Sequence, residues 1–168
     1  MRRTLAMVLA AAVLALAAGC GGDGGGGDAA SYRATDMDTG EEVSVDDMHG
    51  RPVLLVSWAT WCAECDELLG GLQAFADSPA AEGVEIVAVN LDASDTAEID
   101  DKIDDHGLTT GLWRDRRNEF KREFGALGVP TSVVIDIGGA VVASFPGAVD
   151  FAGEDVARAL DTARAGTS

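Results

Sequence analysis

The sequence predicts an α/β domain in which a central mixed β-sheet is covered by helices on both faces. Val53 to Trp58 and Val84 to Val89 are continuous apolar runs, which is the pattern of central strands buried on both sides. A segment with helical periodicity follows each run, and strands that alternate with helices form a layered sheet. Near the end of the chain, Thr131 to Asp136 and Ala140 to Phe145 flank Gly138-Gly139, so a β-hairpin is predicted there.

Two further elements are predicted around the first buried strand. Before it, Asp38-Thr39-Gly40 is a turn signal that predicts an N-terminal β-hairpin. After it, Leu68, Leu72 and Phe75 fall on one face of a helix. Gly70-Gly71 lies inside this helix, and each glycine costs about 1 kcal/mol relative to alanine. We therefore expect a bend or a loosened turn at the glycine pair.

The second half of the chain contains three more helix signals. Asp95 to Glu98 has the pattern of a capping box and opens a helix. Phe120 and Phe124 share one face of a short helix, and Gly125 is its expected C-terminal stop. The closing helix is predicted to begin after Asp150. With these helices the sheet is covered on each face.

The first residues of the chain predict export. Arg2 and Arg3 precede an uncharged, mostly apolar run from Leu5 to Ala18. This run is shorter than the roughly 20 residues that span a bilayer, and it is typical of a secretory signal. Its end, Leu16 to Cys20, resembles the lipobox of bacterial lipoproteins, although Ala17 stands where that motif usually has leucine.

Three parts of the chain are therefore expected. Residues 1–19 form a lipoprotein signal peptide, residues 20–31 form a Gly/Asp-rich tether that begins with an acylated Cys20, and residues 32–168 form the domain. The acyl chains would anchor the protein to the cell membrane on its extracytoplasmic face. A plain signal peptide with an incidental Cys20 is the alternative.

Composition and charge exclude some classes of partner. Hydrophobic residues make up 47% of the 168 residues, which is enough to build a core. The formal net charge is -17, and a surface this acidic is repelled by phosphate, so no nucleic acid is expected to bind. Anionic lipid headgroups repel it as well, so contact with the membrane requires the hydrophobic anchor.

Two cysteines lie where a buried strand changes into a helix. The segment WATWCAEC, residues 58–65, places Cys62 at the N-terminus of the helix, where unpaired N–H groups and the helix dipole favour a thiolate. The spacing brings Cys65 close enough to form a disulfide. Because the third cysteine is the expected lipid attachment site, these two are left as a pair. We expect Cys62 to attack a substrate and Cys65 to resolve the mixed disulfide, with no cofactor besides this redox-active disulfide.

A lone CxxC motif is also compatible with metal binding. A zinc site needs two more ligands, and the remaining candidates are Cys20, His49 and His106. The histidines lie on unrelated segments and fit solvated loop and helix positions, so no metal site is predicted. Capture of Cu(I) by the two thiolates remains open and would make the domain a metal carrier. A peroxidase is disfavoured because Thr60 lacks the rest of a proline–threonine–cysteine arrangement.

The motif WATWCAEC, preceded by GRPVLLVSW and followed by GVPTSVVID, resembles the TlpA/ResA-like branch of thioredoxin-fold proteins. The resemblance runs from about Tyr32 to the last helix. It implies a thioredoxin fold and membrane-tethered disulfide exchange, most often reduction of apocytochrome c or other exported protein thiols. It also implies a membrane electron donor of the CcdA/DsbD type. No residue fixes the direction of electron flow, and an oxidase of the same fold is the alternative.

The same resemblance implies roles for residues around the cysteines. The Val129-Pro130 bond is expected to be cis and to face the cysteine pair, which leaves the backbone of Val129 free to pair with an extended substrate strand. An ordinary trans proline is the alternative. Trp61 is expected to line the substrate surface and Trp58 to lie in the core. Trp113 is assigned only to core or surface packing.

The sequence departs from the family at positions that concern proton transfer. Glu64 replaces a common proline, Leu68 stands where many relatives have glutamate, and Val56 stands where thioredoxin has a buried acid. The usual carboxylate proton acceptors are therefore missing. We hypothesise that Glu64 or Glu67 carries the proton when Cys65 becomes the nucleophile. Solvated acids in the first helical turn are the alternative.

Overall fold

The computed structural model describes residues 31–167, so the expected signal peptide, the acylation of Cys20 and nearly all of the tether lie outside the described residues. Within the described range, none of the helices is both long and apolar enough to cross a membrane. The elements are β1 (Arg33–Asp36), β2 (Glu42–Ser44), β3 (Val53–Trp58), α1 (Cys65–Ala76), β4 (Glu85–Asn90), α2 (Ala97–His106), β5 (Gly111–Arg114), α3 (Glu119–Glu123), β6 (Thr131–Ile135), β7 (Val141–Pro146) and α4 (Glu154–Ala165).

The strands form one mixed sheet in the order β2-β1-β5-β4-β3-β6-β7. Strands β3, β4 and β5 run parallel, and the other neighbours are antiparallel. The predicted N-terminal hairpin is β1 with β2, and the predicted terminal hairpin is β6 with β7. Strand β3 lies between β4 and β6, so both of its edges are paired, and all six of its residues are buried because side chains of the helices cover both faces.

Alternate residues of β3 point to two separate cores. Leu54 and Val56 belong to a cluster that contains the buried side chains of α1, α2 and α4. Val53 and Leu55 belong to a second cluster with Phe120 of α3. The period of two along a strand thus divides the helices between the two faces of the sheet. The predicted arrangement of helices on both faces is confirmed.

Strand β5 is an element that the sequence analysis did not predict. It pairs with β4 and joins the N-terminal hairpin to the rest of the sheet. Trp113 on this strand is only 3% exposed and packs in the second core, so its role is core packing. The predicted capping box is only partly correct. Helix α2 begins within the expected segment, directly after Thr96, but no side chain forms a capping hydrogen bond there.

The glycine pair does not interrupt α1. The helix is continuous from Cys65 to Ala76, so the expected loosened turn at Gly70-Gly71 is wrong, and the bend expected as its alternative stays a prediction. The reason lies in packing, since Leu69 and Leu72 are completely buried on either side of the pair. Burying a leucine side chain contributes about 2 kcal/mol, which offsets the helix propensity lost at each glycine.

Replacing Gly70 with alanine is expected to stabilise the protein by about 1 kcal/mol. Gly70 is exposed, and an added Cβ would lie 3.8 Å from Nδ1 of His106, an ordinary contact. The measurement is the free energy of unfolding in urea. Gly107→Ala is the matched control, because Gly107 caps α2 at φ +57° and alanine there is expected to destabilise. Equal stability of Gly70→Ala and the unmodified protein would contradict this account.

Candidate active site

A disulfide between Cys62 and Cys65 lies at the end of β3 and the start of α1, with the two Cα atoms 5.3 Å apart. The turn that carries it is held by two backbone hydrogen bonds. The N–H of Cys62 donates to the carbonyl oxygen of Ala59 at 3.2 Å, and the N–H of Cys65 donates to that of Cys62 at 3.1 Å. The first residue of α1 is Cys65, so Cys62 lies in the turn before the helix rather than in its first turn.

The two cysteines differ in exposure. Residue Cys62 is 8% exposed and Cys65 is 2% exposed, and both belong to the core cluster beneath α1. Trp58 is fully buried in the same cluster, as expected, whereas Trp61 is 66% exposed. A client sulfur therefore reaches Cys62 more readily than Cys65. Trp61, which directly precedes Cys62 in the chain, is exposed beside it.

The Val129-Pro130 peptide bond is cis, in agreement with the expectation from the resemblance. It directly precedes β6, where Thr131 pairs in register with Ser57 of β3. The hydroxyl of Ser57 accepts a hydrogen bond from the N–H of Thr131 at 2.9 Å and donates to its carbonyl oxygen at 3.0 Å. This contact fixes the proline segment beside the strand end that leads to Cys62.

The backbone of Val129 is open to pairing. Its N–H and carbonyl form no hydrogen bond with any other described residue. The neighbouring Pro130 is held in place, because its carbonyl oxygen accepts a hydrogen bond from the N–H of Gly147 at 2.9 Å. A fixed segment with an unpaired peptide unit is what an extended peptide needs in order to add to a sheet edge.

Asp92 is a site residue that the sequence analysis missed. It is 7% exposed and follows β4, whose carboxyl end lies beside that of β3. Its carboxylate accepts hydrogen bonds from the N–H of Thr60 at 2.9 Å, from the Thr60 hydroxyl at 3.1 Å and from the side-chain amide of Asn90 at 2.9 Å. Since Thr60 lies two residues before Cys62, Asp92 fixes the loop that carries the disulfide.

Buried polar groups extend this network to β5. The side chain of Asn90 accepts hydrogen bonds from the N–H of Asp92 at 3.1 Å and from the guanidinium of Arg114. The same guanidinium donates to the carbonyl oxygen of Ser94 at 2.7 Å. Burial lowers the pKa of Arg114, opposed by the nearby charges of Asp95 and Asp92. In the sequence, this network is indicated only by Asn90 and Asp92, two polar residues at the end of the buried strand β4.

Of the acids at the start of α1, only Asp66 forms ion pairs with other described residues. Asp66 binds Lys102 and His106 of α2, and hydrogen bonds from Lys102 and then His106 lower the pKa of Asp66. His106 was predicted to be solvated, yet its side chain is only 19% exposed because it packs against Asp66. His49 agrees better with that prediction, because it is exposed and pairs with Asp46 in the segment between β2 and β3.

Glu64 and Glu67 are exposed and form no ion pair with any described residue. Leu68 and Val56, at positions where the family resemblance implies acids, are buried in the apolar core. The role of Glu64 or Glu67 as a proton carrier stays a prediction. Among residues 31–167, no group of three or more His, Cys, Asp or Glu side chains is arranged to hold a metal ion.

Fold and site together define a thioredoxin-fold thiol–disulfide oxidoreductase. The sheet with helices on both faces, the CxxC disulfide at a strand–helix junction and the neighbouring cis proline are the features that define this class. The chain belongs to the AhpC/TSA family, whose model matches residues 26–144.

Individual relatives support the same class. The thiol-disulfide oxidoreductase ResA of Bacillus thuringiensis subsp. konkukian is 28% identical over 120 residues, which cover 71% of this chain and 68% of the relative. The sporulation thiol-disulfide oxidoreductase A of Bacillus subtilis is 29% identical over 99 residues, 58% of this chain and 59% of the relative. The predicted resemblance to the TlpA/ResA-like branch is confirmed.

Solved structures confirm the predicted fold. A putative thiol:disulfide interchange protein DsbE from Chlorobium tepidum superposes with a TM-score of 0.70 at 26% identity, covering 83% of this chain and 97% of that structure. StoA from Bacillus subtilis superposes with a TM-score of 0.63 at 25% identity, covering 76% of this chain and 94% of that structure.

Proposed function

We propose that the protein is a lipid-anchored, extracytoplasmic enzyme that reduces disulfides in exported proteins such as apocytochrome c. The observation that carries the proposal is the greater exposure of Cys62 over Cys65, next to the unpaired peptide unit of Val129. The similarity to the thiol-disulfide oxidoreductase ResA supports the class of reaction, and reduction is the direction that the resemblance to the TlpA/ResA-like branch implies. The predicted signal peptide and the lipobox-like segment at Leu16 to Cys20 support the location and the anchoring at Cys20.

The proposed reaction begins with the reduced enzyme. The Cys62 thiolate attacks one sulfur of the client disulfide, the client S–S bond breaks, and the second client sulfur leaves as a thiolate that takes up a proton. The Cys65 thiol loses its proton and attacks the sulfur of Cys62, which releases the first client sulfur as a thiolate that is protonated in turn. Two electrons and two protons pass to the client, and Cys62–Cys65 becomes the disulfide.

Val129 and Trp61 act as the binding residues in this scheme. A client segment in extended conformation pairs with the N–H and carbonyl of Val129, next to the fixed Pro130, and this aligns the client sulfur with Cys62. The exposed indole of Trp61 covers the apolar part of the bound segment. Glu64 or Glu67 accepts the proton from Cys65, and loss of rate in Glu64→Gln or Glu67→Gln would identify which.

Each turnover leaves the enzyme oxidised, so a source of electrons is part of the proposal. A membrane protein of the CcdA/DsbD type would reduce Cys62–Cys65 by the same exchange in reverse. An anchor at Cys20 keeps the domain within reach of such a donor, because a tether of about ten flexible residues spans roughly 17 Å.

The reduction potential of Cys62–Cys65 is the deciding measurement, made by equilibration with glutathione on the chain from Ala29 onward. We expect a value near or below about -250 mV, in the range of thioredoxin. A value near about -120 mV would instead indicate an enzyme that forms disulfides. If no reversible disulfide forms, the proposal fails, and tight binding of Cu(I) by the reduced pair would then identify a metal carrier.

A further inference from the structure

The described residues include two large hydrophobic side chains that are mostly exposed, Trp61 at 66% and Leu127 at 99%. Trp61 lies in the loop that leaves β3, and Leu127 lies in the loop that enters β6. Because Ser57 and Thr131 pair in register, these loops emerge at the same end of neighbouring antiparallel strands. The disulfide follows Trp61 directly, and Val129 follows Leu127 by two residues. Apolar surface therefore lies on both loops that frame the site.

The charge of the same surface has one sign. Residues 59–70 and 125–130 contain three acids, Glu64, Asp66 and Glu67, and no base. Asp66 is neutralised by its pairing with Lys102 and His106 of α2. Glu64 and Glu67 are exposed and have no basic partner in the described part of the chain. Glu64 lies between the two cysteines in the chain and Glu67 follows Cys65 by two residues, so the segment that carries the disulfide has two negative charges without a basic partner among the described residues.

We propose that this surface selects extended client segments that carry both apolar and basic side chains next to their cysteine, an inference that rests on the proposed disulfide reductase. Pairing with Val129 requires the segment to be extended, Leu127 and Trp61 contact its apolar side chains, and Glu64 and Glu67 contact its lysines or arginines. The client class is accordingly an unfolded, cationic stretch of polypeptide around a disulfide.

Charge complementarity favours this occupant over the other candidates. A second copy of the chain also has a net charge of -17 and is repelled, and an acidic client meets the same repulsion. A cationic segment is attracted over a distance of about a Debye length, which raises its rate of association and makes that rate fall with salt. Removal of the Leu127 and Trp61 surfaces from water then holds the segment after encounter.

The test uses the full-length reduced protein in a nonionic detergent and three synthetic peptides, each with one internal disulfide. The residues flanking the cysteines are leucine and lysine in the first peptide, leucine and glutamate in the second, and serine and lysine in the third. Second-order rate constants are measured by acid quench, alkylation and mass spectrometry. Hydroxyethyl disulfide, which is small and uncharged, serves as the reference substrate.

We expect the leucine–lysine peptide to react at least about tenfold faster than the leucine–glutamate peptide at low ionic strength, and the ratio to approach one in about 0.5 M salt. The double variant Glu64→Gln/Glu67→Gln is expected to reduce that ratio to about threefold. Proton transfer affects both peptides alike, so the ratio isolates recognition of charge. The control Glu41→Gln/Glu82→Gln changes the net charge equally at exposed positions away from the site, and it is expected to keep the ratio.

For the apolar contact, Leu127→Ser is expected to lower the rate of the leucine–lysine peptide about fivefold relative to that of hydroxyethyl disulfide. The serine–lysine peptide is expected to show no such loss. Equal rates for lysine and glutamate peptides, or an equal effect of Leu127→Ser on all substrates, would overturn the inference while leaving the reductase intact. Failure of the unmodified protein to reduce hydroxyethyl disulfide would overturn both.

Discussion

Replacing Cys65 with serine is expected to stop the reaction halfway and to leave the client covalently attached to Cys62. The first exchange needs only the Cys62 thiol, whereas release of the client needs a second thiol close to the newly formed bond. Cys62→Ser is expected to lower turnover by at least about a thousandfold, because the remaining thiol of Cys65 is 2% exposed and lies below the surface.

The trapped species is measured by incubating each reduced variant with insulin, followed by non-reducing electrophoresis and mass spectrometry. Cys65→Ser is expected to accumulate a mixed disulfide with insulin that dithiothreitol cleaves. Cys62→Ser is the matched control and is expected to form none. A complex formed by Cys62→Ser and absent from Cys65→Ser would reverse the two roles. Similar complexes from both variants would show that exposure does not distinguish the thiols.

Much of the fold is predictable because its signals are local. The continuous apolar run of β3 and the glycine turn between β6 and β7 each reflect a few adjacent residues, and the structure confirms both. Strand β5 was missed because it has only four residues, Gly111–Arg114, and begins with a glycine, which is a poor strand signal. Its position is set by β4 and β1, which lie far away in the sequence.

The glycine pair of α1 shows the opposite error. Propensity predicted a weakened helix at Gly70-Gly71, and tertiary packing decided otherwise through the buried faces of Leu69 and Leu72. Helix propensity is a small term per residue, whereas burial acts on whole side chains. A local rule fails here because the stabilising contacts come from other elements of the first core.

The active site also combines residues that local sequence identifies with residues that only the folded chain brings together. The cysteine pair could be identified from its spacing and its place between a strand and a helix. The partners that position it could not, because Asp92 is 32 residues from Thr60 and Ser57 is 74 residues from Thr131. Such contacts depend on strand order and register, which the sequence does not specify locally. Leu127 was overlooked for a related reason, since exposure on a framing loop is a property of the folded chain.

Asp92 is the positioning residue with the largest expected effect. Asp92→Ala removes the acceptor of three hydrogen bonds and leaves the N–H of Thr60 and the side-chain amide of Asn90 without their partner in a buried place. The expected loss is about 3 kcal/mol in the free energy of unfolding, or roughly 10 °C in the melting temperature. The loop before Cys62 also loses its anchor, so we expect slower disulfide exchange even where the variant remains folded.

Asp92→Asn separates geometry from charge in this network. Its oxygen can still accept from the Thr60 N–H and the Asn90 amide, and its new amide can donate to the Thr60 hydroxyl, which accepts as readily as it donates. We therefore expect asparagine to cost about 1 kcal/mol, well below the loss for alanine. Urea unfolding and the rate with hydroxyethyl disulfide measure both properties. If alanine and asparagine are equally damaging, the charge of Asp92 rather than its hydrogen bonds holds the loop; if neither has an effect, the loop is held by other contacts.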